Sequence, residues 1–162
     1  MPNFISTSAR ISKFADIEES VKGSKLIIGE NCMIDSFVKI KFSGGLGDII
    51  IGEHCYINSG TVIYSGNGIK FGNKVLVAAN CTFSPANHGI KKDAPMLGQP
   101  FMESKGGIII EDDVWIGANA VILDGVYISQ GCIIGAGSVV RGKLEPYRIY
   151  VGNPVELKGY RK

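Results

Sequence analysis

The chain has 162 residues, 45% of them hydrophobic and 20% charged, with a formal net charge of +2 at pH 7, which suits one soluble domain with a real core. So small a charge argues against nucleic acid or an anionic membrane surface as the partner, and no stretch approaches the length of a membrane span. The 22 glycines, without collagen periodicity, point to many tight turns.

In chain order, the opening "MPNFISTSAR" lacks the apolar run of a secretory signal. It also begins a rhythm: Ile5, Ile11 and Ile17 are six residues apart. The rhythm returns at Ile28, Ile34, Ile40 and Leu46, then at Ile51, Ile57, Ile63 and Ile69, then at Phe71, Val77 and Phe83. Its clearest run is Ile110, Ile116, Ile122, Ile128, Ile134 and Val140. A period of six matches neither the 3.6 of an α-helix nor the 2 of a single amphipathic strand. It matches a parallel β-solenoid in which each hexapeptide makes one side of a coil, the aliphatic residue points inward and the turn falls between sides.

"LIIGENCMI", "IIIGEHCYI", "IKFGNKVLV" and "IIIEDDVWI" mark coil starts at Ile28, Ile51, Phe71 and Ile110. Three hexapeptides complete a three-sided coil, and these starts lie farther apart than that, so the coils carry insertions. The largest is "SPANHGIKKDAPMLGQPFMESKGG", where the rhythm stops; residues 88–107 are expected to form a loop at one corner. A long excursion from a regular scaffold is a favoured place for function. Cys32, Cys55, Cys81 and Cys132 each follow a rhythm position by four, in the small inward slot shared with Val114, Ala120, Val126 and Ser138. They are expected to be buried free thiols, which agrees with a reducing cytoplasm.

"VWIGANAVILDGVYISQGCIIGAGSVV", followed by "VGNPVELKG", resembles the hexapeptide-repeat acyltransferases, and within them the galactoside and maltose O-acetyltransferases and the O-antigen and capsule acetyltransferases. The resemblance implies an all-β, left-handed parallel β-helix, a single domain over 1–162 with its loop at about 88–107 and a C-terminal tail from about 153 to 162. It implies acetyl-CoA as co-substrate, no metal, and a homotrimer with each site between two subunits. In "VLVAANCTFSPANH" it puts His88 on the family's catalytic histidine; in "CYINSG" it puts Asn58 on a substrate-contacting asparagine. The family's "VWIG" is present with Trp115, and backbone groups at Ala118 and Ala136 take the place of those that hold the pantetheine amides.

The residues themselves support the chemistry. Acetyl transfer to a hydroxyl needs a base with a near-neutral pKa and donors for the oxyanion. His88, at the start of the long loop, is the candidate base, and Asn87 beside it is a candidate substrate contact. Trp115, the single tryptophan, falls outside the inward slots and wants a cover, either a neighbouring subunit or the substrates. Lys143 and Lys158 are candidates for the nucleotide phosphates of coenzyme A, with Arg161 and Lys162 nearby in sequence. The expected activity is O-acetylation of a sugar or polysaccharide precursor in the cytoplasm, with no nucleic-acid or integral-membrane partner. The alternative is N-acetylation of an amino-sugar nucleotide or another amine. A zinc hydratase on the same fold would need three histidines per metal, and the chain has two. A non-enzymatic repeat would leave the loop histidine and the lone tryptophan without a purpose.

Overall fold

The structure, a computed structural model, describes residues 3–162; the first two residues of "MPNFISTSAR" lie outside it. The hexapeptides become short strands. The first coil holds β1 (Phe4–Ile5), β2 (Arg10–Ile11) and β3 (Asp16–Ile17), and the second β4 (Leu26–Ile28), β5 (Met33–Ile34) and β6 (Lys39–Lys41). The third holds β7 (Ile49–Ile51), β8 (Tyr56–Ile57) and β9 (Val62–Tyr64), and the fourth β10 (Ile69–Phe71), β11 (Leu76–Val77) and β12 (Thr82–Ser84). The fifth holds β13 (Ile108–Ile110), β14 (Trp115–Ile116) and β15 (Val121–Leu123), and the sixth β16 (Val126–Ile128), β17 (Ile133–Ile134) and β18 (Val139–Val140). After β19 (Lys143–Leu144) and β20 (Arg148–Gly152), β21 (Val155–Tyr160) folds back antiparallel on β20. The segment expected as a tail from about 153 therefore carries a strand that covers the C-terminal edge of one sheet.

Each strand pairs with its counterparts one coil away, which makes three sheets of parallel strands. Sheet 1 runs β1-β4-β7-β10-β13-β16-β19, sheet 2 runs β2-β5-β8-β11-β14-β17-β20-β21, and sheet 3 runs β3-β6-β9-β12-β15-β18. Rhythm residues stack on rhythm residues: Ile28 on Ile51, Ile57 on Val77, Phe83 on Ile122. A strand spacing of about 4.8 Å then puts an aliphatic side chain on the axis at every level, and the column is dry, with Ile28, Ile34, Ile40, Ile57, Ile116 and Ile134 essentially inaccessible. Each such side chain contributes about 1.5–3 kcal/mol by leaving water. Phe71 and Phe83 fill the fourth coil edge to face, with ring centroids 5.1 Å apart.

All four cysteines are free and buried in the small inward slots, level with Val114, Ala120, Val126 and Ser138. Burial holds the Cys81 and Cys132 thiols above their ordinary range. Contact with Cys32, together with burial, does the same to Cys55. Leu46 departs from the expected rhythm. It is 73% exposed, because it lies in the segment between β6 and β7, where the chain leaves the coil before returning to the axis at Ile49.

The corners differ in kind. From the second coil onward, one residue per coil between sheets 1 and 2 takes a left-handed conformation: Asn31, His54, Lys74, Asp113, Gly131 and Tyr147. Between sheets 2 and 3 the same role falls to Phe37, Gly60, Asn80, Asn119 and Gly137. The third corner, from sheet 3 back to sheet 1, takes every insertion: residues 18–25, 42–48, 65–68 and 85–107 stack there, above the short turns 124–125 and 141–142. The stacking is close. A Cβ on Gly45 or Gly47 would collide with the backbone of Gly66 or Gly68.

Candidate active site

Residues 85–107 lie outside the strands of the coils, and most of them are exposed, yet they are tied down along their length. At the base, Pro85 is buried and its carbonyl accepts from Asn67 N at 2.9 Å. In the middle the chain pairs with itself: His88 and Phe101 form an antiparallel bridge, Gly89 N donates to Pro100 O at 2.8 Å, and Met102 N donates to Asn87 O at 2.7 Å. Beyond the bridge the Gln99 amide closes the tip, accepting from Lys91 N at 2.9 Å and donating to the carbonyls of Lys91 and Ala94 at 3.0 Å. The returning stem is held by Asp124, a carboxylate only 8% exposed. It accepts from Lys105 N and Gly107 N, each at 3.0 Å, and from Asn67 Nδ2 at 3.2 Å. Hydrogen bonds to a charged acceptor are worth about 1.5–3 kcal/mol each, so the loop is fixed where it meets the coils.

The two arms of the loop, bridged at His88 and Phe101, separate two cavities at this corner. One, of about 340 Å³, is lined by His88, Phe101, Tyr64, Ser84, Ser43, Gly44 and Ala86. The other, of about 440 Å³, holds Asn87, Met102, Lys105, Asp124 and Arg141 among its walls. The first has no carboxylate, lysine or arginine among its described walls and offers, beside the imidazole, three hydroxyls and an aromatic face. The second carries two cations and a carboxylate. The His88 ring packs against Phe101, centroids 4.6 Å apart and planes 38° from parallel. Among the described residues no hydrogen bond to the His88 ring is present. An exposed imidazole on the wall of a hydroxyl-lined cavity can take a proton from a hydroxyl placed there.

The other residues singled out from the sequence lie elsewhere on the same chain. Asn87 adjoins His88 but faces the second cavity. Asn58 sits on the corner between sheets 2 and 3, half-buried, where its Nδ2 and its backbone N–H both donate to Val77 O, at 3.1 and 3.0 Å. Ala118 and Ala136 stack on that corner, joined by Gly137 N donating to Ala118 O at 2.8 Å. Trp115 stands on the outer face of sheet 2 between Leu76 and Ile133, 48% exposed. Lys143 lies over the Tyr127 ring on the outer face of sheet 1, and Lys158, on β21, pairs with Glu156 at 2.8 Å. One chain thus brings Asn58, Ala118 and Ala136 together on one corner and puts His88 on another. Tyr64, Ser84 and Asp124 are added by the structure, and Phe101, one of the apolar residues of the loop, is placed beside His88. Tyr64 and Ser84 follow the inward Ile63 and Phe83 in the sequence and so face out at the corner that carries the loop.

Comparison with known proteins follows this geometry. Residues 107–142 match the family described as bacterial transferase hexapeptide (six repeats), and residues 48–83 match the hexapeptide repeat of succinyl-transferase. The chain belongs to the hexapeptide-repeat acyltransferases. It is 40% identical over 136 residues to a probable macrolide acetyltransferase of Lysinibacillus sphaericus, covering 83% of this chain and 59% of that protein. It is 33% identical over 144 residues to the galactoside O-acetyltransferase of Escherichia coli (strain K12), covering 86% and 66%. The chain therefore spans 59% and 66% of the length of these two curated relatives. Among solved structures, AntD, an N-acyltransferase from Bacillus cereus in complex with dTDP and 3-hydroxybutyryl-CoA, superposes with a TM-score of 0.80 at 27% identity, over 99% of this chain and 83% of that one. A hexapeptide-repeat acetyltransferase from Vibrio cholerae O1 biovar eltor, complexed with acetyl coenzyme A, gives 0.71 at 28%, over 83% and 70%. The shared architecture is the left-handed β-helix.

Proposed function

We propose that this protein transfers an acetyl group from acetyl-CoA to a hydroxyl of a saccharide, with His88 as the general base. The observation that carries the reading is the cavity in which His88 stands, lined by the hydroxyls of Ser43, Tyr64 and Ser84 beside the Phe101 ring, with no carboxylate, lysine or arginine among its described walls. A sugar offers the same mixture of an apolar ring face and hydroxyl edges. The imidazole removes the acceptor proton as the oxygen attacks the thioester carbonyl, and returns it to the departing thiolate as the intermediate collapses. That service is worth about 10²- to 10⁴-fold in rate. The pantetheine arm runs along the corner between sheets 2 and 3, where Ala118 and Ala136 present backbone without bulk. Lys158, on sheet 2 with Trp115, is better placed for the nucleotide end than Lys143, which projects from sheet 1. Four buried free thiols suit a reducing compartment such as the cytoplasm.

The division of residues between two corners supports a cyclic homotrimer. Both corners border sheet 3. Three copies arranged with sheet 3 toward a common axis set the His88 corner of one against the Asn58–Ala118–Ala136 corner of the next, completing a site that a single chain leaves open. The outer face of sheet 3 suits the contact: Val62, Thr82, Val121 and Val139 stack in register as a flat column of β-branched side chains. Light scattering should report a trimer, and Val121→Arg should give a folded monomer without transferase activity. A folded monomer from the unaltered chain would refute the arrangement.

N-acylation is the second reading, favoured by the likeness to AntD. Against it, among the described residues no carboxylate lines the His88 cavity to meet an acceptor ammonium. Thiol release from acetyl-CoA across a panel of neutral glycosides, amino sugars and nucleotide-linked sugars decides between the two. Turnover of amines alone would overturn O-acetylation, and failure to bind coenzyme A by calorimetry would overturn both.

A further inference from the structure

The candidate base lacks the usual means of orientation. No carboxylate or carbonyl is hydrogen-bonded to the His88 ring among the described residues, and the residue sits on a loop rather than on a rigid strand. A base that is free to swing meets the acceptor proton only part of the time, and misplacement by about 1 Å can cost about 100-fold. Yet the backbone around His88 is held. His88 pairs with Phe101 across the loop, flanked by the Gly89–Pro100 and Asn87–Met102 hydrogen bonds at 2.8 and 2.7 Å. This pairing sets the two rings on the same side, 4.6 Å apart. Gly44, at φ +83°, lies on the wall of the same cavity as Phe101 and brings no side chain of its own against the ring.

We infer that Phe101 is the positioning residue for His88: its ring is the surface against which the imidazole is set, doing by stacking what a hydrogen-bonded partner does elsewhere. Offset aromatic contacts at this separation are favourable, and a ring face constrains the tilt of the imidazole while leaving both of its nitrogens open. Phe101 acts through His88 and needs no bond to the acceptor. The inference rests on the reading of His88 as the base.

The test uses the full chain. His54→Asn leaves one histidine in the protein, so the imidazole signals in the NMR spectrum belong to His88 alone. In that background the ring protons should lie upfield of their positions in an unstructured peptide, and Phe101→Ala should return them. Transfer is then followed as thiol release from acetyl-CoA with an equimolar pool of methyl glycosides, with water as the baseline acceptor. Phe101→Ala should lower kcat by about 10- to 100-fold with KM for acetyl-CoA unchanged, and Phe101→Tyr should restore the rate. The side chain is 46% exposed and outside the core, so Tm should hold in both variants. Unshifted His88 ring protons in the unaltered loop, full activity in Phe101→Ala, or a Phe101→Tyr as slow as Phe101→Ala would each overturn the inference. If His88→Ala is inactive while Phe101→Ala is not, the positioning role falls and the base reading stands. If His88→Ala is active, both fall.

Discussion

Two corners of this solenoid repeat and the third does not. At the corner between sheets 1 and 2, and again between sheets 2 and 3, each coil from the second onward turns on one left-handed residue and the next strand begins within two residues. At the corner between sheets 3 and 1 the chain makes excursions of different lengths and returns each time to the same register. The ladders explain both. A one-residue slip between sheets would turn every inward isoleucine outward, so two corners hold the register with fixed turns. The third can be opened freely because the returning strand is re-registered by its neighbour: β13 pairs with β10 residue for residue despite the 85–107 excursion. Loop closure grows only slowly with length, so a long loop costs the scaffold little. The regular corners make the fold, and the irregular corner carries the proposed chemistry.

His88→Ala gives the sharpest separation of the two roles. It should reduce transfer by about 10²- to 10⁴-fold, mainly in kcat, while coenzyme A binding and Tm stay as they were. His54 is the paired control from a regular corner. It is exposed at φ +56°, so His54→Asn, which tolerates that conformation, should retain activity and stability. Activity surviving the first change and lost in the second would invert the comparison.

The converse change belongs to the core. Phe83→Ala removes a fully buried ring in contact with Phe71 and should destabilise the protein by about 3–5 kcal/mol, read as a fall in the denaturant midpoint. Leu97→Ser, at a loop position 94% exposed, should change stability by no more than about 0.5 kcal/mol. Similar losses from the two would mean that the loop contributes to the core.

Asp124→Ala probes the joint between the regions. It removes the acceptor from the N–H groups of Lys105 and Gly107, costing about 1–3 kcal/mol locally. Hydrogen exchange at those two amides should accelerate about 10- to 100-fold, with transfer reduced and the coils intact. Exchange unchanged from the native loop would show that the stem is held by something else.

The smallest expected effect is on the cysteines. Native protein should resist a thiol reagent at all four positions, since even Cys32, which its contact with the Cys55 thiol draws below the ordinary range, is 1% exposed. Rapid labelling of any two without denaturation would contradict the inward register itself.

The sequence by itself determined the solenoid, its three-sided coils and the inward column, because a side chain that must fill the same axial slot in every coil leaves a period that can be counted. It also marked the long break and His88 at its start. It misread Leu46, since an aliphatic residue six positions on looks the same whether the chain has stayed on the coil or left it. Only the tertiary structure decided that all insertions share one corner, that the 153–162 segment contains an edge strand, and that His88 and Asn87 face different cavities. Phe101 beside His88 and Asp124 beneath the returning stem were also decided there. Each of these depends on contacts between segments far apart in the chain, formed after the coils have stacked, and no local period records them.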